Sequence, residues 1–90
     1  GKGKPLQAPM VTLCIQGGKK DKLRAGDLVG ALTKDAGFAF EQVGKINVFD
    51  FVTFVALDRR IADQAFDKLG QGTIKGRHFK MRFMADEIRL

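Results

Sequence analysis

The residues of this chain that could do chemistry are concentrated in one stretch, Gly17-Gly18-Lys19-Lys20-Asp21-Lys22-Leu23-Arg24, where two glycines precede four cations within six positions. Glycine lets a backbone bend and approach a ligand closely, and lysine and arginine displace the counterions of a polyanion. The chemistry this pattern offers is therefore the gripping of phosphate on RNA or DNA. Nothing nearby could make or break covalent bonds. His78 is the single histidine, so neither a catalytic triad nor a metal cluster can be assembled around it. No residue is expected to be catalytic, and none to hold a metal.

Charge supports the same direction. Sixteen lysines and arginines against ten acids give a net charge of +6. The cations gather in residues 19–24, in residues 75–82 and at Lys2 and Lys4, whereas the acids are spread through helix-like segments. That distribution predicts an acidic partner, with nucleic acid ahead of a membrane surface. A chain of 90 residues with 44% hydrophobic content is sized for one domain with its own core. Cys14 is alone, which excludes an internal disulfide, and its place in an apolar run predicts a buried or half-buried thiol. Residues 1–10 hold no stretch like a signal peptide, and the longest apolar run, residues 51–57, is too short to span a bilayer. A cytoplasmic protein is expected. Residues 1–9 read as a flexible linker from something larger, residues 10–84 as the domain, and residues 85–90 as a C-terminal tail.

The elements that must position the basic stretch follow from periodicity. Residues 10–15 alternate, with Val11, Leu13 and Ile15 on one face and Thr12 and Cys14 on the other, which predicts a half-buried strand ended by the glycine pair. Leu28, Ala31 and Leu32 recur at helical spacing over residues 25–36, with Asp27 in the first turn and Gly37 as a stop. Gly26 and Gly30 weaken that helix and read as places of close packing. Residues 38–43 fit one further turn. Gly44 then opens a second strand over 45–49, with Ile46 and Val48 facing one way and Lys45 and Asn47 the other.

Residues 51–57 are aromatic and β-branched and predict a central third strand. Asp58 suits an N-cap for a second helix, whose stripe of Ile61, Ala62, Ala65, Phe66 and Leu69 ends at Gly70. After a turn at 71–76, the last strand should send Phe79, Met81 and Phe83 inward and His78, Lys80 and Arg82 outward. Phe38, Phe40 and Phe66 also read as core by position. The order βαββαβ is an α+β fold of the split βαβ kind: a four-stranded antiparallel sheet with two helices on one face and the other face open.

RNA-recognition motifs share this plan. The segment Phe54-Val55-Ala56-Leu57-Asp58-Arg59-Arg60-Ile61-Ala62-Asp63-Gln64-Ala65 resembles the end of their third strand and the start of their second helix, and Ile74-Lys75-Gly76-Arg77-His78-Phe79-Lys80-Met81 resembles the approach to their fourth strand. A closer likeness covers nearly the whole chain. Thr12-Leu13-Cys14-Ile15-Gln16-Gly17-Gly18-Lys19-Lys20, Lys22, Arg24, Gly26-Asp27, Gly30-Ala31-Leu32, Gly44-Lys45-Ile46 and Ile74-Lys75-Gly76 together resemble the C-terminal, RRM-like RNA-binding domain of DbpA-type bacterial DEAD-box RNA helicases. The Gly-Gly-Lys-Lys element is the discriminating part.

The resemblance implies a module that grips a hairpin of large-subunit ribosomal RNA near the peptidyl-transferase centre, tethering an ATP-driven helicase core in cis during ribosome assembly. ATP and Mg would belong to that core, and no cofactor is expected in this segment. Neither a Gly-x-x-x-x-Gly-Lys-Ser/Thr loop nor an Asp-Glu-Ala-Asp run occurs in these 90 residues, so the segment is expected neither to hydrolyse ATP nor to unwind RNA. It is expected to be a monomer.

Departures from the ordinary RNA-recognition motif shape the expected site. Cys14 stands where the first strand normally offers an aromatic ring. Phe-x-Phe-Val-x-Phe occurs at residues 49–54, but that register crosses Asp50 and leaves the strand too early for a helix at Asp58. The later register places Val52, Phe54 and Ala56 on the open face and Thr53, Val55 and Leu57 in the core. Phe54 is then the one expected platform for base stacking, and a folded RNA shape the expected target. Lys19, Lys20, Lys22 and Arg24 are the first expected RNA contacts. Lys80 and Arg82, with Lys45 on a neighbouring strand, are expected to lay a positive stripe across the open face. The rival is a protein-interaction module of the same fold without direct RNA contact.

Overall fold

The alternation of residues 10–15 does what a half-buried strand requires. In the computed structural model, which describes residues 9–84, strand β1 (Met10–Ile15) turns Val11, Leu13 and Ile15 into the core. Strand β2 (Val43–Val48) keeps Ile46 and Val48 on that side, and β3 (Thr53–Asp58) buries Thr53, Val55 and Leu57 while Phe54 and Ala56 face the other way, as the later of the two registers predicts. With β4 (Met81–Phe83) the strands form one sheet in the order β2-β3-β1-β4, every neighbouring pair antiparallel. Of the expected linker and tail, only Pro9 lies among the described residues, and its carbonyl accepts from the Arg59 N–H at 2.9 Å.

Helix α1 (Ala25–Gly30) runs on into a wider π turn at Ala31–Asp35. There the Ala36 N–H donates to the Ala31 carbonyl at 2.9 Å, and the Thr33 hydroxyl donates back to Val29 at 2.8 Å. Gly37, at φ 85°, ends the segment as expected, and the Phe38 N–H closes the last turn on the Leu32 carbonyl at 3.0 Å. Gly26 and Gly30 do not serve close packing. A Cβ at either would meet nothing within 4 Å.

Asp58 caps the second helical segment, accepting the Arg60 N–H at 2.8 Å and the Arg60 guanidinium at 2.7 Å. The guanidinium bonds, then the backbone bond, hold its carboxyl well below the ordinary aspartate value, at about 2. A 3-10 turn, Arg59–Ile61, leads into α2 (Ala62–Gln71). The helix passes through Gly70, whose φ is not positive, and closes at Gly72, where the backbone N–H reaches the Lys68 carbonyl at 3.1 Å.

Leu13, Ile15, Val55 and Leu57 of the sheet meet Leu28, Ala31 and Leu32 from the first helical segment and Ile61, Ala65 and Leu69 from the second. Both helices therefore cover one face, and the fold is the RRM-like α+β arrangement. Phe38, Phe66, Phe79, Met81 and Phe83 close the margin of this core. Phe40 does not join them. It opens the 3-10 turn Phe40–Gln42 beside the edge strand β2 and stands 67% exposed, because an element leading into an edge has no layer beneath it.

Candidate nucleic-acid interface

The basic stretch leaves β1 as buried backbone and becomes a 3-10 turn, Lys19–Asp21. Gly17 and Gly18 are buried, and what they approach is the protein itself rather than a ligand. A Cβ on Gly18 would overlap the Phe49 carbonyl oxygen and stand 2.9 Å from the Asp50 carbonyl carbon, and one on Gly17 would run into the Phe79 ring. That contact lets the Lys19 N–H donate to the Phe49 carbonyl at 2.8 Å and the Lys20 N–H to the Asp50 carbonyl at 2.9 Å. The turn is pinned below by the buried Thr53 hydroxyl, which donates to the Gly17 carbonyl at 2.7 Å, and by Leu23, which is buried in the core. Asp21 reaches back to accept the Gly18 N–H at 3.0 Å, and Asp27 accepts the Arg24 N–H at 3.0 Å, each an acid three residues beyond the donor it satisfies.

A second loop closes on the first. Ile74 and Arg77 bridge a two-residue turn in which Lys75 and Gly76 both take positive φ, 55° and 76°. From it the Lys75 ammonium donates to the Lys22 carbonyl at 3.1 Å and lies 3.7 Å from Asp27. The Arg77 guanidinium donates to the Asp21 carbonyl at 3.3 Å and lies 3.6 Å from its carboxylate. Asp21 of the basic turn and Asp27 in the first turn of α1 are thus each occupied by a backbone donor and by a cation of the other loop. Among the described residues no ion pair or side-chain hydrogen bond engages Lys19, Lys20, Lys22 or Arg24, and all four are exposed. Lys19, Lys22, Leu23, Arg24 and Lys75 line a shallow depression. A depression walled by cations on a backbone held from two sides presents fixed positive charge and hydrogen-bond donors to an anion.

The sheet is a different surface from the one expected. Lys80 and Arg82 are exposed, and Arg82 stands opposite Cys14 on β1. Lys45, however, sits on β2 at the far edge, not on a strand neighbouring β4. Three strand spacings separate the two edges, roughly 14 Å, so the three cations form no continuous stripe. Local alternation places Lys45 on the correct face but says nothing of strand order. Lys45 also lies within an irregularity of the β2–β3 pairing between Val43 and Ile46, beside Gly44, where a Cβ would press on Met10 and Ala56. Phe54 lies half-buried on the open face, its ring centroid 6.0 Å from that of Phe49 in an edge-to-face pair. Cys14 is buried between its strand partners Phe54 and Arg82.

Lys75 and Arg77 complete the basic surface, and sequence reasoning grouped them only with a distant charge cluster. The Lys-Gly dipeptide carries a turn signal, but the docking of that turn onto Lys22 and Asp21 is a contact between residues more than fifty positions apart. Among the described residues, no group of three or more His, Cys, Asp or Glu is placed to hold a metal ion.

Residues 12–83 match a family model described as the DbpA RNA binding domain. The chain is 44% identical over 79 residues to the ATP-dependent RNA helicase DbpA of Escherichia coli (strain K12), and 29% identical over 80 residues to that of Bacillus subtilis (strain 168). These alignments take in 88% and 89% of this chain but only 17% of each helicase, so the chain spans a small part of the curated relatives it matches.

Proposed function

The chain belongs to the DbpA RNA-binding-domain family, and on that premise we propose that it holds structured RNA on the surface where its two basic loops meet, as an accessory domain of an ATP-dependent RNA helicase whose core lies outside these residues. The observation that carries this reading is the division of charge between the loops. Lys75 and Arg77 occupy Asp27 and Asp21, which leaves Lys19, Lys20, Lys22 and Arg24 turned to solvent, with Lys19, Lys22 and Arg24 around one depression. Phosphates of a stem would settle there, because a backbone held before binding loses little freedom when the ligand arrives. The target is a hairpin of large-subunit ribosomal RNA near the peptidyl-transferase centre, and the domain tethers the helicase core to it in cis during ribosome assembly in the cytoplasm. Residues 10–84 are the binding unit, a monomer. ATP and Mg serve the core.

Binding of this chain to that ribosomal hairpin and to a scrambled hairpin, each across a salt series, tests the reading. The cognate hairpin should bind more tightly, with affinity falling steeply as salt rises. Lys19→Ala with Lys20→Ala should flatten the log–log salt slope by about 1.4–1.8 for two lost phosphate contacts. Equal affinity for both hairpins removes the ribosomal target. A slope and affinity untouched by the double substitution move the RNA elsewhere, and affinity that ignores salt favours a protein partner instead.

A further inference from the structure

The turn between β2 and β3 carries two large apolar side chains that the core does not use. Phe49 is 51% exposed and Phe51 70% exposed, and neither belongs to the packed cluster. Phe49 meets Phe54 edge to face, so the tip and the open sheet face share one aromatic surface. The same tip is bonded to the basic turn through the Phe49 and Asp50 carbonyls, at 2.8 and 2.9 Å from the Lys19 and Lys20 nitrogens. Neighbouring backbones joined in this way run about 5 Å apart. The backbones that carry two exposed rings and two exposed lysines are thus held side by side.

We propose that the tip formed by Phe49, Asp50 and Phe51 is a stacking site for unpaired nucleobases of RNA, lying outside the sheet positions where a ring was expected. This rests on the RNA-binding reading and adds a second kind of contact to it: bases that leave a stem lie on Phe49 and Phe51, with Phe54 continuing the surface, while the phosphates joining them sit on Lys19 and Lys20. Charge complementarity selects this occupant. An apolar protein segment would cover the rings but bring nothing to the adjoining cations, whereas a nucleotide carries an aromatic face and an anion on one unit. Stacking of this kind tolerates any base, so the site senses whether a nucleotide is unpaired rather than which nucleotide it is.

The test compares three probes on this chain: an RNA duplex with blunt ends, the same duplex with a short unpaired extension, and the same duplex with an extension of equal length made of abasic sugar-phosphate. The last two carry equal charge and differ only in their bases. The parent should prefer the base-bearing extension to the abasic one. Phe49→Ala and Phe51→Ala should each lose about 5- to 150-fold on the base-bearing probe, the range of one stacked ring, with no loss on the blunt or abasic probes. Phe51→Tyr should retain binding. Phe51→Ala should keep the parent's thermal midpoint, since that ring is 70% exposed and makes no ring contact among the described residues. Equal binding of the base-bearing and abasic probes by the parent overturns the proposal. So does an unchanged affinity in both alanine variants, which leaves the tip to a protein contact. Lys19→Ala with Lys20→Ala separates the two levels: if it weakens all three probes while the phenylalanine variants do nothing, the stacking site fails and the RNA reading stands, and if it weakens none, the RNA reading fails too.

Discussion

Replacing Gly18 by alanine should unlatch the basic turn, and the size of the effect follows from what the new methyl group meets. Its carbon would overlap the Phe49 carbonyl oxygen and lie 2.9 Å from both the carbon and the oxygen of the Asp50 carbonyl. These are main-chain atoms, so no rotamer change relieves the overlap, and the turn and the β2–β3 tip must separate by about an ångström or more to reach normal contact. Separation on that scale breaks the bonds from Lys19 and Lys20 to the two carbonyls. Two lost backbone bonds at about 1 kcal/mol each, with an overpacking cost of about 1–3 kcal/mol, put the destabilisation on the order of 3–5 kcal/mol. For a domain of this length that lowers the melting temperature by roughly 12–40 °C. The chain has no tryptophan or tyrosine, so far-UV circular dichroism under heat and urea is the suitable assay. Gly30→Ala is the control: its helical backbone has open space around it, and it should stabilise by about 0.5–1 kcal/mol. A Gly18→Ala protein within about 0.5 kcal/mol of the parent would show that the diglycine serves bending alone, and the account of a clamped turn would be refuted.

Lys22 has a left-handed backbone at φ 63°, so Lys22→Gly should stabilise the fold by about 0.5–1 kcal/mol while weakening RNA binding and flattening its salt slope; calorimetry and a salt titration on the same protein read the two opposed signs. Thr53→Val keeps shape but strips the Gly17 carbonyl of its buried donor, and should cost about 1–3 kcal/mol in urea unfolding, with Thr53→Ser retaining most of it. Because the Asp58 carboxyl is depressed to about 2 in the folded protein, its contribution is fully present above the unfolded value near 4 and is lost as pH falls toward 2. Asp58→Asn should therefore lower stability at neutral pH and reduce the dependence of unfolding free energy on pH between about 4 and 2; an unchanged acid limb would contradict the cap.

Each part of this fold that could be read from the chain rests on interactions within a few residues. Alternation in residues 10–15 and the helical spacing of Leu28, Ala31 and Leu32 are local, and so is the conflict between Asp50 and a continuous strand that selects the register of Thr53, Val55 and Leu57. The positions that read differently in three dimensions depend on which elements become neighbours. Lys45 has the correct face and the wrong edge, because strand order is set by packing across the whole sheet. Phe40 has the composition of a core residue and no layer to enter. The diglycine carries the mark of close approach, but the backbone it approaches lies some thirty residues further along the chain. The same distinction decides how the charge of the site is counted. Within the stretch Lys19 to Arg24, Asp21 offsets one cation in any linear tally. In the fold its carboxylate takes the Gly18 N–H and the Arg77 guanidinium, and Asp27 likewise takes the Arg24 N–H and the Lys75 ammonium. The cations of the second loop therefore serve as counterions for Asp21 and Asp27, and the surface around the depression is more positive than the sequence of the basic stretch implies.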